Sequence, residues 1–376
     1  MSITAFHVID STLREGEQFA LAHFTTEQKL QIAAALDAFG VDYLELTSPV
    51  ASPQSAADVR EIAGVRERSF KLLTHVRCNM SDARLAIDCG VDGVDVLIAT
   101  SSKLRPVSHG MSIDKVIAVG IAVVAEIRAA GLEARFSTED SFRSDPEDLV
   151  RIYRAIDSAG VDRVGLADTV GVATPRQVHE LVTLVRRTVG CDIEFHAHDD
   201  TGCAVANALA ALEAGATHID TTILGIGERN GIVPLSSMMA RLLTVQPELV
   251  DRYRLEMLPQ LDAMLAAMLG VDIPFTAAVT SPHAFHHKAG MHTKAVLAEP
   301  SAYEVLDPAR FGIERRILAG HRLVGRHAIR HRATALGVHL DDEGLHSLTA
   351  EVKRRGDSGP LQNDELDTLI IGWATA

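Results

Sequence analysis

Residues 191–198 are Cys191-Asp192-Ile193-Glu194-Phe195-His196-Ala197-His198, an apolar strand that ends in a pair of histidines. Alternate side chains of a strand share a face, so His196 and His198 point the same way, about 7 Å apart along the strand. Two imidazoles on one face can chelate a metal ion if a third ligand comes from elsewhere. Taken alone, the pair could equally be two polar residues that face water at the end of a strand.

The run Cys191–Phe195 is the seventh of eight short β-rich runs that alternate with helical stretches between residues 6 and 222. The other seven are Phe6–Asp10, Tyr43–Thr47, Lys71–His75, Val94–Ile98, Glu133–Ser137, Arg163–Ala167 and His218–Thr222. Eight consecutive strand–helix units are typical of a (β/α)8 barrel, whereas a doubly wound sheet rarely contains so many. We therefore predict an α/β protein, a (β/α)8 TIM barrel followed by a small, mostly helical C-terminal region.

The chain of 376 residues is longer than one hydrophobic core usually organises, so we expect more than one domain. Residues 1–270 form the predicted catalytic barrel. Residues 271–310 form a predicted linker or subdomain that carries the motif His287-Lys288-Ala289-Gly290-Met291-His292. Residues 311–376 form a predicted helical C-terminal domain.

Composition and charge argue against several classes of protein. The net charge of −14 argues against nucleic acid as a partner, because phosphate binding needs a basic surface. No apolar run is long enough for a membrane span, and the first residues lack the basic and apolar regions of a signal peptide. The four cysteines form no Cys-x-x-Cys pair and are typical of reduced thiols. We predict a cytoplasmic protein that acts on small molecules.

Polar residues gather at the ends of five predicted strands, where a barrel of this kind has its active site. They are Asp10–Glu15, then His75, then the set Arg135, Ser137 and Glu139, then Asp168 and Thr169, and finally the two histidines. Structural packing could explain one such cluster but not easily five at the same end of the barrel.

Glu15 is the candidate third metal ligand, because it follows the first strand, which lies near the seventh strand in a closed barrel. Two imidazoles and one carboxylate leave open coordination positions. A 2-oxo acid can fill them with its carboxylate and keto oxygens, and Arg14 can neutralise charge that builds up on the keto oxygen. The alternative is that Glu15 is a solvated loop residue.

Arg135 and Ser137 share a strand face and could bind a second, distal carboxylate, with His75 contributing from the third strand. Arginine offers a carboxylate a planar, two-point match. The alternative is that Arg135 forms a structural ion pair in the mouth of the barrel.

Two further motifs carry weaker signals. The run Gly225-Ile226-Gly227-Glu228-Arg229-Asn230-Gly231 follows the eighth strand and lacks the dinucleotide-binding spacing, but its glycines would let the backbone approach a ligand closely. His287–His292 and Tyr303 lie beyond the barrel and include side chains suited to proton transfer. From spacing alone, a basic surface patch is the default interpretation of that segment.

Taken together, these motifs resemble the metal-dependent Claisen-condensing acyltransferases, the family that includes the homocitrate and 2-isopropylmalate synthases. The resemblance extends from about residue 6 to residue 340 and is closest to the homocitrate synthase version. The segments that carry it are Asp10–Gln18, Glu139–Ser144, Ala167–Gly171 and Leu224–Gly231.

The resemblance implies a reaction and its participants. Acetyl-CoA would condense with 2-oxoglutarate and water to give homocitrate and CoA, with the 2-oxo acid chelated by a divalent metal ion (Zn, Mn, Co or Mg). The protein would be a homodimer in which the partner subunit supplies His292. Asp95 matches a position that contacts the amino group of inhibitory lysine in homocitrate synthases.

The resemblance also implies a role for each site residue. Glu15, His196 and His198 would hold the metal. Arg14 would lie over the keto oxygen, and His75, Arg135, Ser137 and Thr169 would bind the 2-oxo acid. Glu139, His292 and Tyr303 would form the acid–base set. Gly225, Gly227, Asn230 and Gly231 would lie on the acetyl-CoA side.

Two departures from the family pattern leave the choice of 2-oxo acid open. Asp199 stands where asparagine is more usual, and the segment Ala277–His283 also differs. The same reaction on oxaloacetate or on a phosphono or phosphino analogue such as phosphonopyruvate is therefore an alternative, with 2-oxoisovalerate ranked behind these. A metal-dependent carbon–carbon lyase and a non-catalytic metal- or amino-acid-binding protein are the other two alternatives.

Overall fold

The computed structural model describes residues 3–374, the last of these by its backbone alone. The chain forms two compact units, Met1–Thr280 and Ser281–Ala376. The boundary between the units falls inside the segment 271–310 that the sequence analysis set apart. The further division at residue 310 stays a prediction.

The first unit is a closed barrel of eight parallel strands in sequence order, with β1 paired to β8, so the predicted TIM barrel is confirmed. Its strands are β1 His7–Asp10, β2 Tyr43–Leu46, β3 Lys71–Arg77, β4 Gly93–Ala99, β5 Glu133–Glu139, β6 Arg163–Asp168, β7 Asp192–Ala197 and β8 His218–Thr221. Three strands, β3, β5 and β7, run two residues further at their carboxyl ends than predicted. The polar residues at these ends lie at the mouth of the barrel, and their backbone is still paired with the neighbouring strands.

Helices connect the strands and continue into the second unit. In the first unit they are α1 Thr26–Phe39, α2 Pro53–Ala63, α3 Met80–Asp88, α4 Arg105–Ser108, α5 Ile113–Ala129, α6 Pro146–Ser158, α7 Pro175–Arg186, α8 Ala204–Glu213, α9 Leu235–Val245 and α10 Leu258–Leu269. Local sequence sets their starts. Thr25 and Gln28 form a reciprocal capping box at α1, and Thr174 and Gln177 form another at α7.

The strands have two different faces. An ideal Cβ on Gly120 of α5 would lie only 2.7 Å from the ring of Phe136, so Phe136 of β5 points outward against that helix. Arg135 and Ser137 therefore point into the barrel, because side chains alternate along a strand. The inward positions of other strands also carry buried charges where such barrels usually have branched apolar residues. These buried charged residues are Glu45, Asp95, Arg135, Arg163, Glu194 and Asp220.

The second unit is mostly helical, as predicted. A short parallel pair, β9 His286–His287 and β10 Arg316–Ile317, accompanies α11 Gly290–Ala298, α12 Arg326–Ala335, α13 Asp342–Gly356 and α14 Asn363–Ala374. Its apolar core comes chiefly from the last three helices and includes Ile329, Leu345, Leu348, Val352 and Ile370. In the described part of both units, no helix combines the length and the apolar character needed to cross a membrane.

Candidate active site and metal centre

A cavity of about 550 Å³ opens at the carboxyl ends of the barrel strands. The structure brings nine of the predicted site residues together in its lining. They are Arg14, Glu15, His75, Arg135, Ser137, Glu139, Thr169, His196 and His198. These nine residues extend along the chain from Arg14 to His198, which lie 184 positions apart. The closure of the barrel brings them together.

Glu15, His196 and His198 form a compact, buried group within this cavity. Each offers one potential ligand atom, and these three atoms all lie within 4.8 Å of one another. The two imidazole rings have centroids 5.0 Å apart, and Nε2 of His198 lies 3.9 Å from Oε1 of Glu15. Among residues 3–374, no second group of three or more histidine, cysteine or acidic side chains meets the same distance.

The protonation states of this group fit a divalent metal ion. Burial lowers the pKa of both His196 and His198 to about 4, so their nitrogen lone pairs are available near neutral pH. Burial alone would raise the pKa of Glu15, but the charge of Arg14 and the nearby imidazoles outweigh it and lower that pKa. One carboxylate and two neutral imidazoles are a donor set that Zn, Mn or Co accepts readily.

Asp220 of β8 orients the first histidine and was missed by the sequence analysis. Its Oδ2 lies 2.8 Å from Nδ1 of His196, and both side chains are buried. When Nδ1 donates to this carboxylate, the lone pair on Nε2 is free to bind a metal. Metal-binding histidines usually have such a partner, which fixes the tautomer of the ring.

Glu15 is fixed by a side chain and by the glycine-rich loop after β8. Arg14 donates from NH1 to Oε2 of Glu15 at 2.5 Å, and the backbone N–H of Glu228 donates to Oε1 at 2.9 Å. A Cβ at Gly227 would lie 2.9 Å from the same Oε1, so only glycine allows this close approach. Gly231 has φ +77°, and a Cβ there would lie 1.8 Å from the carbonyl oxygen of Gly225.

The glycine loop has a second side. Gly225 and Asn230 line a separate cavity of about 290 Å³ and do not line the larger one. Arg229 secures the loop, since its guanidinium donates to both carboxylate oxygens of Asp200 at 2.8 and 2.9 Å. The contact of the four predicted loop residues with acetyl-CoA stays a prediction.

Asp199 caps a helix. Its Oδ1 accepts a hydrogen bond from the backbone N–H of Ala204 at 2.8 Å, at the first residue of α8. The positive end of the helix dipole stabilises a carboxylate in that position. The extra negative charge next to the histidines is therefore directed towards the start of α8.

Arg14 and His75 meet at Glu45, a second residue that the sequence analysis missed. Oε2 of Glu45 accepts hydrogen bonds from Ser11 Oγ and from Arg14 Nε, each at 2.6 Å. Nδ1 of His75 lies 3.1 Å from Oε1 of the same carboxylate. An isolated acid inside an apolar strand, as in Tyr43-Leu44-Glu45-Leu46, is the signal that could have identified it.

Arg135 has both a structural partner and unused donors. Its NH2 group forms an ion pair with Glu194, whereas its Nε and NH1 are buried without a hydrogen-bond partner. Both oxygens of Asp95, the residue beside Arg135 in the strand register, also lack a hydrogen-bond partner, and Nη2 of Arg163 lies 3.5 Å from Oδ1. Burial, with a contribution from neighbouring Asp140, raises the pKa of Glu139.

His292 and Tyr303 belong to the second unit. Their rings lie close together, with centroids 4.3 Å apart and planes tilted by 34°. His292 is in α11, and Tyr303 follows it after a short turn and is half-exposed. Their assignment to the acid–base set stays a prediction.

Comparison with known proteins identifies the family. A family model described as HMGL-like matches residues 5–265, and one described as homocitrate synthase post-HMGL domain-like matches residues 279–360. The chain belongs to the HMGL-like family. The resemblance drawn from the motifs is thereby confirmed.

Several relatives of this HMGL-like chain are similar over almost its whole length. The mitochondrial homocitrate synthase of Penicillium rubens is 52% identical over 99% of this chain and 78% of its own. In Saccharomyces cerevisiae, the mitochondrial homocitrate synthase is 51% identical and the cytosolic isozyme 50%, each over 98% of this chain and 84% or 86% of its own. Among solved structures, the hydroxymethylglutaryl-CoA lyase of Pseudomonas aeruginosa matches with a TM-score of 0.64 over 78% of this chain and 98% of its own. At 23% identity, that likeness shows the fold alone.

The prediction of a cytoplasmic location is wrong. The relatives from Penicillium rubens and Saccharomyces cerevisiae are named as mitochondrial enzymes, with a cytosolic isozyme beside them. Free cysteines are typical of every reducing compartment, so they do not distinguish the cytoplasm from the mitochondrial interior.

We expect Asp220→Asn to weaken metal binding by about 10- to 100-fold, the usual cost of losing an outer-shell partner of a metal ligand. An asparagine can present its NH2 group to Nδ1 of His196, which would reverse the tautomer of the ring. The measurement is the metal dissociation constant of the stripped protein, by competition with a chelator. Asp199→Asn is the matched control, because asparagine also caps helices well. Equal affinities for Asp220→Asn and the wild type would contradict the role of Asp220.

Proposed function

We propose that the protein is a homocitrate synthase, which condenses acetyl-CoA with 2-oxoglutarate and water to give homocitrate and CoA. The observation that carries this proposal is the identity of about half of all residues, over nearly the whole chain, to homocitrate synthases. The geometry of the cavity agrees with it, because a chelating triad lies beside two arginines in one enclosed site.

Glu15, His196 and His198 would hold the divalent metal ion, which when bound polarises the keto carbonyl of the 2-oxo acid as a Lewis acid. Arg14 supports this by its position, since it is hydrogen-bonded to Glu15 and Glu45 at the same end of the cavity. Its positive charge would stabilise the negative charge that develops on the keto oxygen during attack.

The remaining lining residues would bind the rest of the 2-oxo acid. Arg135 is suited to the distal carboxylate, because its buried Nε and NH1 have no partner in the protein. His75, Ser137 and Thr169 line the same cavity and offer polar atoms for orientation. Holding both reactants in one orientation would supply much of the rate.

Proton transfer would be carried by Glu139, His292 and Tyr303. His292, assisted by Glu139, would remove a proton from the methyl group of acetyl-CoA. The methyl carbon would then form a bond to the keto carbon as the π bond of the keto carbonyl opens, and the resulting alkoxide oxygen would take up a proton from the acid–base set to become the hydroxyl group of the product. Water would hydrolyse the thioester and release CoA, which makes the overall step irreversible. The pKa of Glu139 is raised above that of an ordinary glutamate, chiefly by burial, which favours its role in proton transfer.

The active form would be a homodimer in which each His292 serves the barrel of its partner. Six exposed large apolar or aromatic side chains between residues 291 and 323 support an interface in this region. They are Met291, Leu297, Tyr303, Val305, Leu318 and Leu323.

The first test is CoA release from acetyl-CoA across a panel of 2-oxo acids. We expect kcat/KM for 2-oxoglutarate to exceed that for oxaloacetate, which is one methylene shorter, by about 10- to 200-fold. Glu15→Gln should abolish turnover. Glu27→Gln is the matched control, because Glu27 is exposed in the first turn of α1 and does not line the cavity.

Each alternative has its own outcome in this assay. A higher kcat/KM with oxaloacetate or phosphonopyruvate would overturn the substrate but keep the reaction. Cleavage of a hydroxy diacid without any need for acetyl-CoA would favour the carbon–carbon lyase. A wild-type protein that binds metal but is inert towards every 2-oxo acid would favour a non-catalytic binding protein.

The shared site is tested by mixing two inactive variants, Arg135→Ala and His292→Ala. Random subunit exchange makes half of the dimers hybrid, and each hybrid has one intact site, so roughly a quarter of wild-type activity should return. Subunit exchange is verified with differently tagged chains. Absence of recovery in a mixture with verified hybrids would rule out donation of His292 across an interface.

Asp95 would bind the ammonium group of lysine as an inhibitor. Its buried carboxyl group supports this, since neither oxygen has a hydrogen-bond partner and the nearest guanidinium, that of Arg163, lies 3.5 Å away. Lysine should then raise the apparent KM for 2-oxoglutarate, and Asp95→Asn should weaken that inhibition by about tenfold or more. Undiminished inhibition of the variant would remove Asp95 from this role.

A further inference from the structure

Gly165 in β6 leaves a space that the guanidinium of Arg135 fills. An ideal Cβ at this position would lie 2.7 Å from Nε and 2.9 Å from both Cζ and NH2 of Arg135. Real Cβ atoms essentially never approach another atom this closely, so any side chain at residue 165 would force a movement. The question is whether the strand or the guanidinium would give way.

The backbone of Gly165 is held on the outer side of the barrel. Its carbonyl oxygen accepts a hydrogen bond from the fully buried hydroxyl of Tyr153 at 2.6 Å. The Tyr153 hydroxyl also lies 2.5 Å from the Thr138 hydroxyl, on the neighbouring strand β5. In the register of the barrel, Gly165 lies between Ser137 and Glu194, in the middle of three paired strands. The guanidinium, by contrast, ends a flexible side chain and is the part that would move.

The place of this guanidinium decides what its unused donors can reach. Nη2 of Arg135 forms an ion pair with Glu194, while Nε and Nη1 are buried and have no hydrogen-bond partner in the protein. Arg135 also lines the cavity. A guanidinium is planar. If Glu194 fixes one of its nitrogens and the β6 backbone at residue 165 lies against it on one side, the directions of its other N–H groups are also fixed. The absence of a side chain at residue 165 is therefore what lets Arg135 lie flat in this position.

We propose that Gly165 determines substrate specificity by positioning Arg135 for the distal carboxylate of a 2-oxo diacid. The inference rests on the proposed function, which assigns that carboxylate to Arg135. A methyl group at residue 165 would turn the guanidinium away, and the preference for a diacid over an acid with an apolar end would be lost. Gly165 is a positioning residue in this proposal and does not itself touch the substrate.

The experiment compares Gly165→Ala with Gly93→Ala, a matched change in strand β4. A Cβ at Gly93 would also be too close, at 2.7 Å from Cδ2 of Leu73, but would meet no arginine. For Gly165→Ala we expect the KM for 2-oxoglutarate to rise about tenfold or more, as for a lost hydrogen bond to a charged group. The KM for acetyl-CoA should change by less than about twofold, since Arg135 is assigned to the 2-oxo acid and not to acetyl-CoA. Gly93→Ala should lower the melting temperature without a selective change in either KM.

A double-mutant cycle separates this mechanism from general damage. The affinity for 2-oxoglutarate is measured by calorimetry for Gly165→Ala, for Arg135→Gln and for the double variant. If Gly165 acts through Arg135, the change at residue 165 has no further effect once the guanidinium is gone. Additive losses would overturn the proposal. An unfolded Gly165→Ala protein would also overturn it, because the strand and not the guanidinium would then have yielded.

The positioning role of Gly165 and the proposed function can be rejected independently of each other. If the wild type prefers another 2-oxo diacid in the CoA-release panel, the same cycle is run with that acid. Coupling between residues 165 and 135 would then support the positioning role although the substrate assignment had failed. If 2-oxoglutarate is the substrate and the cycle is additive, the function stands and the role of Gly165 is rejected.

Discussion

The first unit depends on pairing charges that lie inside its barrel. An unpaired charge in a protein interior costs several kcal/mol, so each buried acid needs a positive or hydrogen-bonding neighbour. Glu194 meets the guanidinium groups of Arg135 and Arg163, and Glu45 meets Arg14. The barrel can therefore replace the usual apolar interior with a charged one, and the inward residues of its strands become available for chemistry.

This network also sets the protonation of the candidate metal site. The same burial that makes pairing necessary keeps both imidazoles neutral, and Arg14 helps to keep Glu15 ionised. A ligand set with one negative charge results, next to arginines that would balance an anionic substrate. The ion pairs inside the barrel and the charges around the site thus belong to one network. Replacing a residue of this network is therefore expected to affect both the stability of the barrel and the protonation of the site.

The sequence predicted the barrel, and the same regular spacing predicted that the three candidate metal ligands would lie close together. The period of strands and helices gives the order of elements, and the closure of the barrel then brings Glu15 to His196 and His198. The supporting residues Glu45 and Asp220 were missed, because a single acid in an apolar strand has no periodic pattern and its partner lies on another strand. The role of Asp199 was likewise hidden, since a helix cap is recognised only once the start of α8 is known.

Strain in the loops shows how a rigid barrel supports a precise site. Four described non-glycine residues have positive φ, and three of them, Asp140, Leu224 and Arg229, lie in loops at the carboxyl ends of strands. Each of the three residues takes part in a hydrogen bond to a carboxylate. The side chain of Asp140 accepts from Arg143, the backbone N–H of Leu224 donates to Asp262, and the guanidinium of Arg229 donates to Asp200. Such conformations cost about 1–3 kcal/mol each and persist only where surrounding contacts enforce them. Because this loop places the backbone N–H of Glu228 on Glu15, its strained conformation contributes directly to the geometry of a candidate metal ligand.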